Sequence, residues 1–202
     1  MKFIPNLLSS GRLVLTLFMF LALAAVGGGV PFLRLGAESH PALLGFAFWA
    51  FVIAAVTDFF DGWLARKLDA VTVWGAILDP IGDKVLVCGA ILGLLSLGPQ
   101  PMVVLPSGLI LFREFTVSAL REVGAGKGIK LPVTLLAKWK TTCQLVALGA
   151  ELLLAVSQAS DPLAPWMSAL AVFAHGTLWV ATLITVVTGF QYWDQTRRAL
   201  KA

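Results

Sequence analysis

The chain has 202 residues, of which 58% are hydrophobic and 13% are charged, and its formal net charge is +4. A soluble domain carries about 25% charged residues, so this composition and a mean hydropathy of +0.89 exclude an ordinary water-soluble fold and indicate a membrane protein. The small positive charge requires no nucleic-acid partner, because an anionic membrane surface or an anionic substrate explains it.

Six apolar windows follow one another along the chain, and each predicts a transmembrane helix. A helix needs about 20 residues to cross the hydrocarbon core, so the shorter windows must extend into their polar flanks. We therefore expect an all-α, polytopic membrane protein with six spans in a single domain over residues 1–202. The windows are Leu13–Val26, Leu43–Thr57, Val85–Leu97, Met102–Leu111, Cys143–Val156 and Met167–Gly189.

The basic residues predict the orientation of these spans. If the amino terminus is cytoplasmic, every Lys and Arg except Arg34 falls on or near the cytoplasmic side, which is a strong positive-inside pattern. Both termini are then cytoplasmic. As an alternative, Lys2, Arg12 and the apolar run that ends at Val26 also fit a cleaved signal peptide. Cleavage would leave the orientation of the later helices unchanged.

Two pairs of aspartates lie where the second predicted helix ends and the third begins. Asp58 and Asp61 are three residues apart, and Asp79 and Asp83 are four apart, so each pair occupies one helical face. The connection is short, and the two helices should be antiparallel neighbours whose carboxylates meet. Together these carboxylates would repel each other and lose hydration. Hard oxygen ligands of this kind suit Mg²⁺ or Mn²⁺, so we predict a divalent-cation site.

Small residues flank both pairs of aspartates. Gly62 and Ala65 lie beside the first pair, and Gly75 precedes the second pair by one turn. They leave room for a bulky ligand against the helix backbone, although close helix packing in a membrane also favours small residues. Arg66 beside a cation cluster suggests an anion held by both, and a diphosphate is the natural candidate.

The complete pattern, D-x2-D-G-x2-A-R-x8-G-x3-D-x3-D from Asp58 to Asp83, resembles the signature of the CDP-alcohol phosphatidyltransferase family. The resemblance implies six membrane helices, two divalent cations (Mg²⁺ or Mn²⁺) and a homodimer. It also implies transfer of a phosphatidyl or similar group from a CDP-linked donor to an alcohol. The start of the chain, Ile4-Pro-Asn-Leu-Leu-Ser-Ser-Gly-Arg12, resembles the short amphipathic N-terminal segment of the family, with Ser9 where threonine is usual.

The resemblance also implies a role for each fixed residue of the pattern. Asp83 would be the general base that takes a proton from the acceptor hydroxyl. The implied cation ligands are Asp58, Asp61, Asp79 and Asp83. The implied cytidine and diphosphate site consists of Gly62, Ala65, Gly75 and Arg66. In the alternative without chemistry, the aspartates only cap helices or pair with basic loops, which would leave carboxylates at a membrane boundary without a function.

A second concentration of charge, from Leu111 to Gln144, predicts the acceptor site. Basic residues outnumber acids there, which suits a phosphorylated acceptor, although positive-inside loop charge explains part of the excess. Two Arg-Glu pairs and an Ala-Lys-Trp-Lys-Thr-Thr run also resemble the subgroup of the family that uses sn-glycerol 3-phosphate. We expect Arg113, Arg121 and Lys138 to bind the acceptor phosphate.

The expected reaction is therefore transfer of the phosphatidyl group of CDP-diacylglycerol to sn-glycerol 3-phosphate, giving phosphatidylglycerol phosphate and CMP. We expect it in the bacterial cytoplasmic (inner) membrane, with the active site facing the cytoplasm. Two alternatives stay open. The same chemistry could use inositol phosphate, serine or a second lipid as acceptor, or the carboxylates could belong to a divalent-cation carrier, which would need a polar path through the bilayer. The two histidines, His40 and His175, show no partner in the sequence and receive no role.

Overall fold

Helices account for most of the chain that the computed structural model describes, namely the backbone of residues 3–33, 35–67, 73–127 and 135–199. Side chains in these ranges are described except at 3–8, 59–67, 73–77, 79–80 and 135–138. The described ranges contain six α-helices, a 3₁₀ turn at Ala37–Ser39 and no strand, which confirms the all-α prediction. The helices are α1 (Phe3–Val26), α2 (His40–Lys67), α3 (Val73–Ser96), α4 (Pro101–Gly126), α5 (Leu135–Ser160) and α6 (Met167–Ala199).

Glycine and proline set two of the helix boundaries. Helix α1 stops before three glycines, of which Gly28 has φ of 73°, and the amide of Gly29 donates to the carbonyl of Ala24 at 2.7 Å. Between α3 and α4, Gly98 has φ of 144°. Glycine reaches such positive φ without the steric cost of a Cβ. Pro101 is the first residue of α4, where its missing N–H breaks no helical hydrogen bond.

Helix α1 is continuous, so the predicted N-terminal segment is the beginning of the first long helix and not a separate element. Ser9, Arg12 and Thr16 share one face and are buried, whereas Leu17 and Phe18 are exposed. The hydroxyl of Thr16 donates to the carbonyl of Arg12 at 2.8 Å. Polar residues turned into the protein and apolar residues turned outward are what a helix in hydrocarbon requires.

The helices pack so that α1 contacts both α2 and α3, α5 contacts α2, α3 and α6, and α6 contacts α4. In the core, large side chains such as Met19, Leu23 and Phe51 alternate with Ala54 and Ala90, all of them buried. Alanines let neighbouring helix backbones approach closely in a membrane. Because α1 touches both helices that carry the aspartates, its buried side chains can reach both pairs.

Large apolar side chains cover the outside of the bundle. Trp49, Phe112, Leu183 and Phe190 are each more than 60% exposed, an arrangement that fits a hydrocarbon environment and not water. Helix α3, which should provide the third of six predicted spans, is not among the segments of the described chain that are long and apolar enough to cross a membrane. Those five segments are Ser9–Val26, Ala37–Asp58, Pro101–Gly126, Trp139–Ser160 and Met167–Ala199.

Candidate active site

Both aspartate pairs lie on helical backbone, Asp58 and Asp61 on α2 and Asp79 and Asp83 on α3. The two helices are longer at this end than the sequence pattern predicts. Helix α2 continues past its second aspartate to Lys67, since the Leu-Ala-Arg-Lys run that follows consists of strong helix formers. Helix α3 begins before its first aspartate.

The predicted site residues fall into two groups. Asp58, Asp83, Arg113 and Arg121 have described side chains, whose surroundings are given below. The others have side chains outside the described part of the structure, and their roles stay predictions. They are Asp61, Gly62, Ala65, Arg66, Gly75, Asp79 and Lys138.

Arg12 of α1 joins the two described aspartates. Its Nη1 contacts Oδ1 of Asp58 on α2 and lies 3.1 Å from Oδ1 of Asp83 on α3. The Arg12 side chain is only 1% exposed, while that of Asp83 is 49% exposed. We call these three residues the Arg12 clamp. The structure thus brings one aspartate from each pair to a common point, as the antiparallel arrangement predicts, but through a cation from a third helix.

The two aspartates of the clamp fit a divalent cation as two of its ligands. Their Oδ1 atoms converge on a single nitrogen of Arg12, so a cation in that place would touch both. Carboxylate oxygens are the ligands that Mg²⁺ takes in proteins. Among the described side chains no group of three His, Cys, Asp or Glu residues could hold a metal ion. The proposed four-carboxylate set also includes Asp61 and Asp79, whose side chains lie outside that part of the chain.

A cavity of about 380 Å³ opens beside the Arg12 clamp, between α3, α4 and α5. Asp83 lies in its wall together with both described arginines predicted to bind the acceptor phosphate. Four cationic side chains and two carboxylates line it, so its walls carry a net positive charge. The lining residues are Asp83, Lys84, Val87, Arg113, Glu114, Val117, Ser118, Arg121, Lys140, Thr141 and Gln144.

Arg113 is buried in the cavity wall and held mainly by a neutral oxygen. Its Nη2 donates to the hydroxyl of Thr188 on α6 at 3.1 Å, and its Nη1 lies 3.5 Å from Oε1 of Glu114. The side chain packs against Gly189, where a Cβ would lie 2.9 Å from the Arg113 Cγ. The Nε atom of Arg113 is buried without a hydrogen-bond partner among the described residues. A buried donor without a partner costs stability.

Arg121 lies about two turns after Arg113 on α4, and Tyr192 of α6 orients it. The Nη2 atom of Arg121 donates to the Tyr192 hydroxyl at 2.7 Å, and its guanidinium carbon lies 4.8 Å from the centre of the tyrosine ring. Tyr192 is 1% exposed and is the only tyrosine of the chain. The contact leaves the charge of Arg121 intact, because both the hydroxyl and the ring are neutral.

Glu114 connects the cationic residues of the cavity. It accepts a hydrogen bond from Lys140 and another from Nε2 of Gln144 at 3.3 Å. Gln144 also donates to the Thr185 hydroxyl at 2.9 Å, which ties α5 to α6. Lys140 is buried, and a buried ammonium requires such a partner. Glu114 therefore stabilises a second cation in the wall.

Sequence reasoning missed several residues of this site, of which the nearest to the proposed chemistry are Arg12, Lys140 and Tyr192. Arg12 was used for membrane orientation, for the signal-peptide alternative and for the resemblance of the N-terminal segment, but it received no role in the site, although an arginine beside an apolar window needs a partner. Lys140 was counted in the basic segment and in its Ala-Lys-Trp-Lys-Thr-Thr run, but only Lys138 was assigned to the phosphate. Its position one helical turn before Gln144 on α5 was a further signal. Tyr192 had no signal, because its contact with Arg121 joins residues 71 positions apart.

A second cavity of about 380 Å³ is lined from the other ends of the helices, by residues that include His40, Gln100 and Glu151. Glu151 is buried, and its Oε1 lies 2.9 Å from Nδ1 of His175 on α6. This corrects the expectation that His175 lacks a partner. The pair gives a carboxylate inside the bundle the hydrogen bond that it needs. None of the four predicted site residues with described side chains lines this cavity.

Comparison with known proteins gives a consistent result over nearly the whole chain. The model of the CDP-alcohol phosphatidyltransferase family matches residues 2–187. A protein of Bacillus subtilis is 38% identical over 98% of this chain and 97% of its own length. A protein of Cereibacter sphaeroides is 37% identical over 98% of this chain and 95% of its own length. A protein of Rickettsia bellii is 40% identical over 73% of this chain and 77% of its own. All three are named CDP-diacylglycerol–glycerol-3-phosphate 3-phosphatidyltransferase.

Proposed function

Because the chain belongs to the CDP-alcohol phosphatidyltransferase family, we propose that it transfers the phosphatidyl group of CDP-diacylglycerol to sn-glycerol 3-phosphate. The products are phosphatidylglycerol phosphate and CMP, so the protein acts as a phosphatidylglycerophosphate synthase. The names of its bacterial relatives support this activity. The observation that carries the proposal is the single cavity that is lined both by Asp83 of the family signature and by Arg113, Arg121 and Lys140.

The cationic side of the cavity would bind the phosphate of the acceptor. Its volume of about 380 Å³ lies within the range of about 300–1,000 Å³ that is usual for small-molecule sites. Arg113 and Arg121 present planar forks that match phosphate oxygens, and Lys140 adds a third charge from α5. Lys138, predicted from the sequence for the same role, lies on the first turn of that helix.

Asp83 would act as the general base. Its side chain is half exposed and faces the same cavity as the cations, so an acceptor hydroxyl can approach it while the phosphate is held. Asp83 takes the proton from the 1-hydroxyl of sn-glycerol 3-phosphate. The hydroxyl oxygen forms a bond to the phosphorus of the phosphatidyl group, and the bond between that phosphorus and CMP breaks.

The donor would bind where α2 and α3 come together. Two Mg²⁺ or Mn²⁺ ions held there would neutralise the diphosphate charge and stabilise CMP as it leaves. Arg66 would lie beside the diphosphate, and the small residues would let cytidine approach the helix backbones. The residues assigned to the ions are Asp58, Asp61, Asp79 and Asp83. Those assigned to the nucleotide are Gly62, Ala65 and Gly75.

In the membrane, α3 would provide a sixth span, and both termini and the active site would face the cytoplasm of a bacterial inner membrane. The positions of the basic residues support this orientation. It can be tested with Arg198→Cys and Leu163→Cys in a background lacking Cys88 and Cys143. An impermeant thiol reagent should reach residue 198 from the cytoplasmic side and residue 163 from the opposite side. Labelling of both residues from one side would contradict the orientation.

The family resemblance further supports a homodimer, built from two copies of a single-domain chain. Light scattering in detergent, corrected for the bound detergent, should give twice the 21.5 kDa mass of the chain. A mass of one chain under conditions of full activity would exclude the dimer as the active form.

The reaction is tested by incubating the purified protein with CDP-diacylglycerol and each acceptor in turn. We expect CMP release and a mass-resolved lipid product with sn-glycerol 3-phosphate, but not with inositol phosphate, serine or phosphatidylglycerol. EDTA should abolish both signals, and added Mg²⁺ or Mn²⁺ should restore them. A product formed only with another acceptor would contradict the acceptor assignment. An absence of CMP with every acceptor would contradict the transferase function and favour the carrier alternative.

A further inference from the structure

We propose that the Arg12 guanidinium is a built-in competitor of the divalent cation. It holds Asp58 and Asp83 together when no cation is bound, and a cation binds by displacing it. The inference rests on the proposed cation site and adds to it a positioning residue from a third helix. It makes α1, which carries none of the signature aspartates, part of the control of cation binding.

The first argument is the geometry of the Arg12 clamp. A single nitrogen, Nη1, contacts one carboxylate oxygen of Asp58 and one of Asp83. Without a positive charge between them, these two carboxylates would face each other across the junction of α2 and α3. Arg12 is almost completely buried, so solvent screens its charge poorly. The guanidinium therefore supplies the neutralisation that a bound cation would otherwise supply.

The second argument is that both occupants need the same oxygen atoms. Mg²⁺ binds carboxylate oxygen at about 2.0–2.1 Å, and a cation bound to Oδ1 of both aspartates would need the space between them that Nη1 of Arg12 occupies. Two positive charges that close repel each other strongly in a partly buried site. Occupation by the guanidinium and occupation by the cation therefore exclude each other.

The third argument concerns the hydrogen bonds and the neighbours of Arg12 in the clamp. Its Nε is buried without a hydrogen-bond partner within the described part of the chain, so the clamp does not satisfy the whole guanidinium. Beneath the guanidinium lies Gly82, where a Cβ would overlap Nη2. Asp83 also borders the cavity of about 380 Å³. Arg12 is therefore held in the clamp by its two carboxylate contacts, with one donor unsatisfied and Gly82 against its guanidinium.

The experiment measures binding of Mn²⁺ to the purified protein without substrates, from the electron paramagnetic resonance signal of free Mn²⁺. Arg12→Gln removes the competing charge and should bind Mn²⁺ about fivefold or more tightly than the wild type, the lower end of typical coupling between two sites. Gly82→Ala keeps Arg12 but pushes its guanidinium out of place, and it should change the affinity in the same direction. Arg12→Lys, which keeps the charge, should bind with an affinity between those of the wild type and Arg12→Gln.

Arg198→Gln is the matched control. Arg198 is exposed and forms an ion pair with Asp194 at 2.7 Å, so its loss should leave Mn²⁺ affinity unchanged. Thermal unfolding gives a second readout. In EDTA, Arg12→Gln should unfold at a lower temperature than the wild type, because Asp58 and Asp83 then repel each other. Mn²⁺ should raise its midpoint by more than that of the wild type, since the stabilisation by a ligand increases with the logarithm of its affinity.

An unchanged or weaker Mn²⁺ affinity in folded Arg12→Gln would overturn displacement and show that Arg12 only supports the fold or the ligands. If that variant does not fold in EDTA, Gly82→Ala decides by the same criterion, because it retains the charge. A wild-type protein that binds no Mn²⁺ would overturn the proposed cation site and this inference together. If the wild type binds Mn²⁺ but Arg12→Gln and Gly82→Ala both bind it more weakly, this inference alone is overturned and the proposed cation site stands.

Discussion

Two buried arginines of the site, Arg12 and Arg113, differ in the charge of the groups that hold them. Arg12 is held by two carboxylates, one from α2 and one from α3. Arg113 is held by the hydroxyl of Thr188, with Glu114 at the longer distance of 3.5 Å. Carboxylates cancel the charge of a guanidinium, whereas a hydroxyl satisfies its hydrogen bond and leaves the charge in place. Burial alone therefore does not tell what an arginine does.

The same difference separates the two sides of the site. On the α1–α3 side, the two carboxylates with described side chains, Asp58 and Asp83, converge on the single cation Arg12. On the α4–α6 side, Arg121 is also held by neutral groups, the hydroxyl and ring of Tyr192, and Lys140 shares Glu114 with Arg113. This side keeps a positive charge and suits a phosphate. Asp83 belongs to the Arg12 clamp and also lines the cationic cavity, and it is therefore the point at which the two sides meet.

The largest expected effect follows from Asp83→Asn, which removes the residue common to both sides. We expect CMP release to fall about 10³-fold, within the range for loss of a general base, with unchanged helix content. Asp194→Asn is the control, because Asp194 is exposed and forms an ion pair with Arg198 outside the site. A rate close to that of the wild type in Asp83→Asn would remove Asp83 from the mechanism.

Arg113→Gln tests the charge of the cationic side. The KM for sn-glycerol 3-phosphate should rise about 10- to 100-fold, the effect of losing a hydrogen bond to a charged group. The KM for CDP-diacylglycerol should change little, because the proposed donor site lies on the other side. Arg197→Gln removes an exposed arginine near the end of α6 and should change neither constant. Equal increases for both substrates would indicate a general distortion of the cavity.

Arg121→Ala and Tyr192→Phe separate the charge of Arg121 from its positioning. Arg121→Ala should raise the KM for sn-glycerol 3-phosphate about tenfold. Tyr192→Phe keeps the ring but removes the oxygen that accepts the hydrogen bond from Arg121, and it should raise that KM about threefold. Steady-state kinetics on both variants and on the double variant tests the link. If the two effects simply add, Tyr192 does not act through Arg121.

Thr188→Val has the smallest expected effect. It tests whether the Thr188 hydroxyl, which accepts a hydrogen bond from Arg113, orients that arginine. Loss of its hydroxyl should lower the free energy of unfolding by about 1 kcal/mol and raise the KM for sn-glycerol 3-phosphate about twofold. Thr196→Val is a matched control, because the buried Thr196 hydroxyl donates to the Tyr192 carbonyl at 2.7 Å. It should cost similar stability in chemical denaturation without a change in KM. If Thr188→Val and Thr196→Val have the same KM for sn-glycerol 3-phosphate, Thr188 does not orient Arg113.

Much of the fold and part of the site could be predicted from local pattern. Apolar windows predict the long helices because hydrocarbon requires a continuous run of apolar residues with internally satisfied backbone. The spacing of Asp58 from Asp61 and of Asp79 from Asp83 places each pair on one helical face. The helix ends near the aspartates were less predictable, since propensity extends α2 beyond the apolar run. The family signature, which resides in the same stretch, could be recognised without any tertiary information.

The partners of the charged residues could not be predicted in this way. Arg12 and Asp83 are 71 positions apart in the chain, and Arg113 and Thr188 are 75 apart. Glu151 and His175 are 24 apart and also lie on different helices.

The sequence by itself determined that this is a helical membrane protein with clustered carboxylates and a separate basic segment. Only the tertiary structure decided which cations face carboxylates and which face hydroxyls. Helical periodicity is a local property, whereas the partner of a buried charge depends on how separate helices pack.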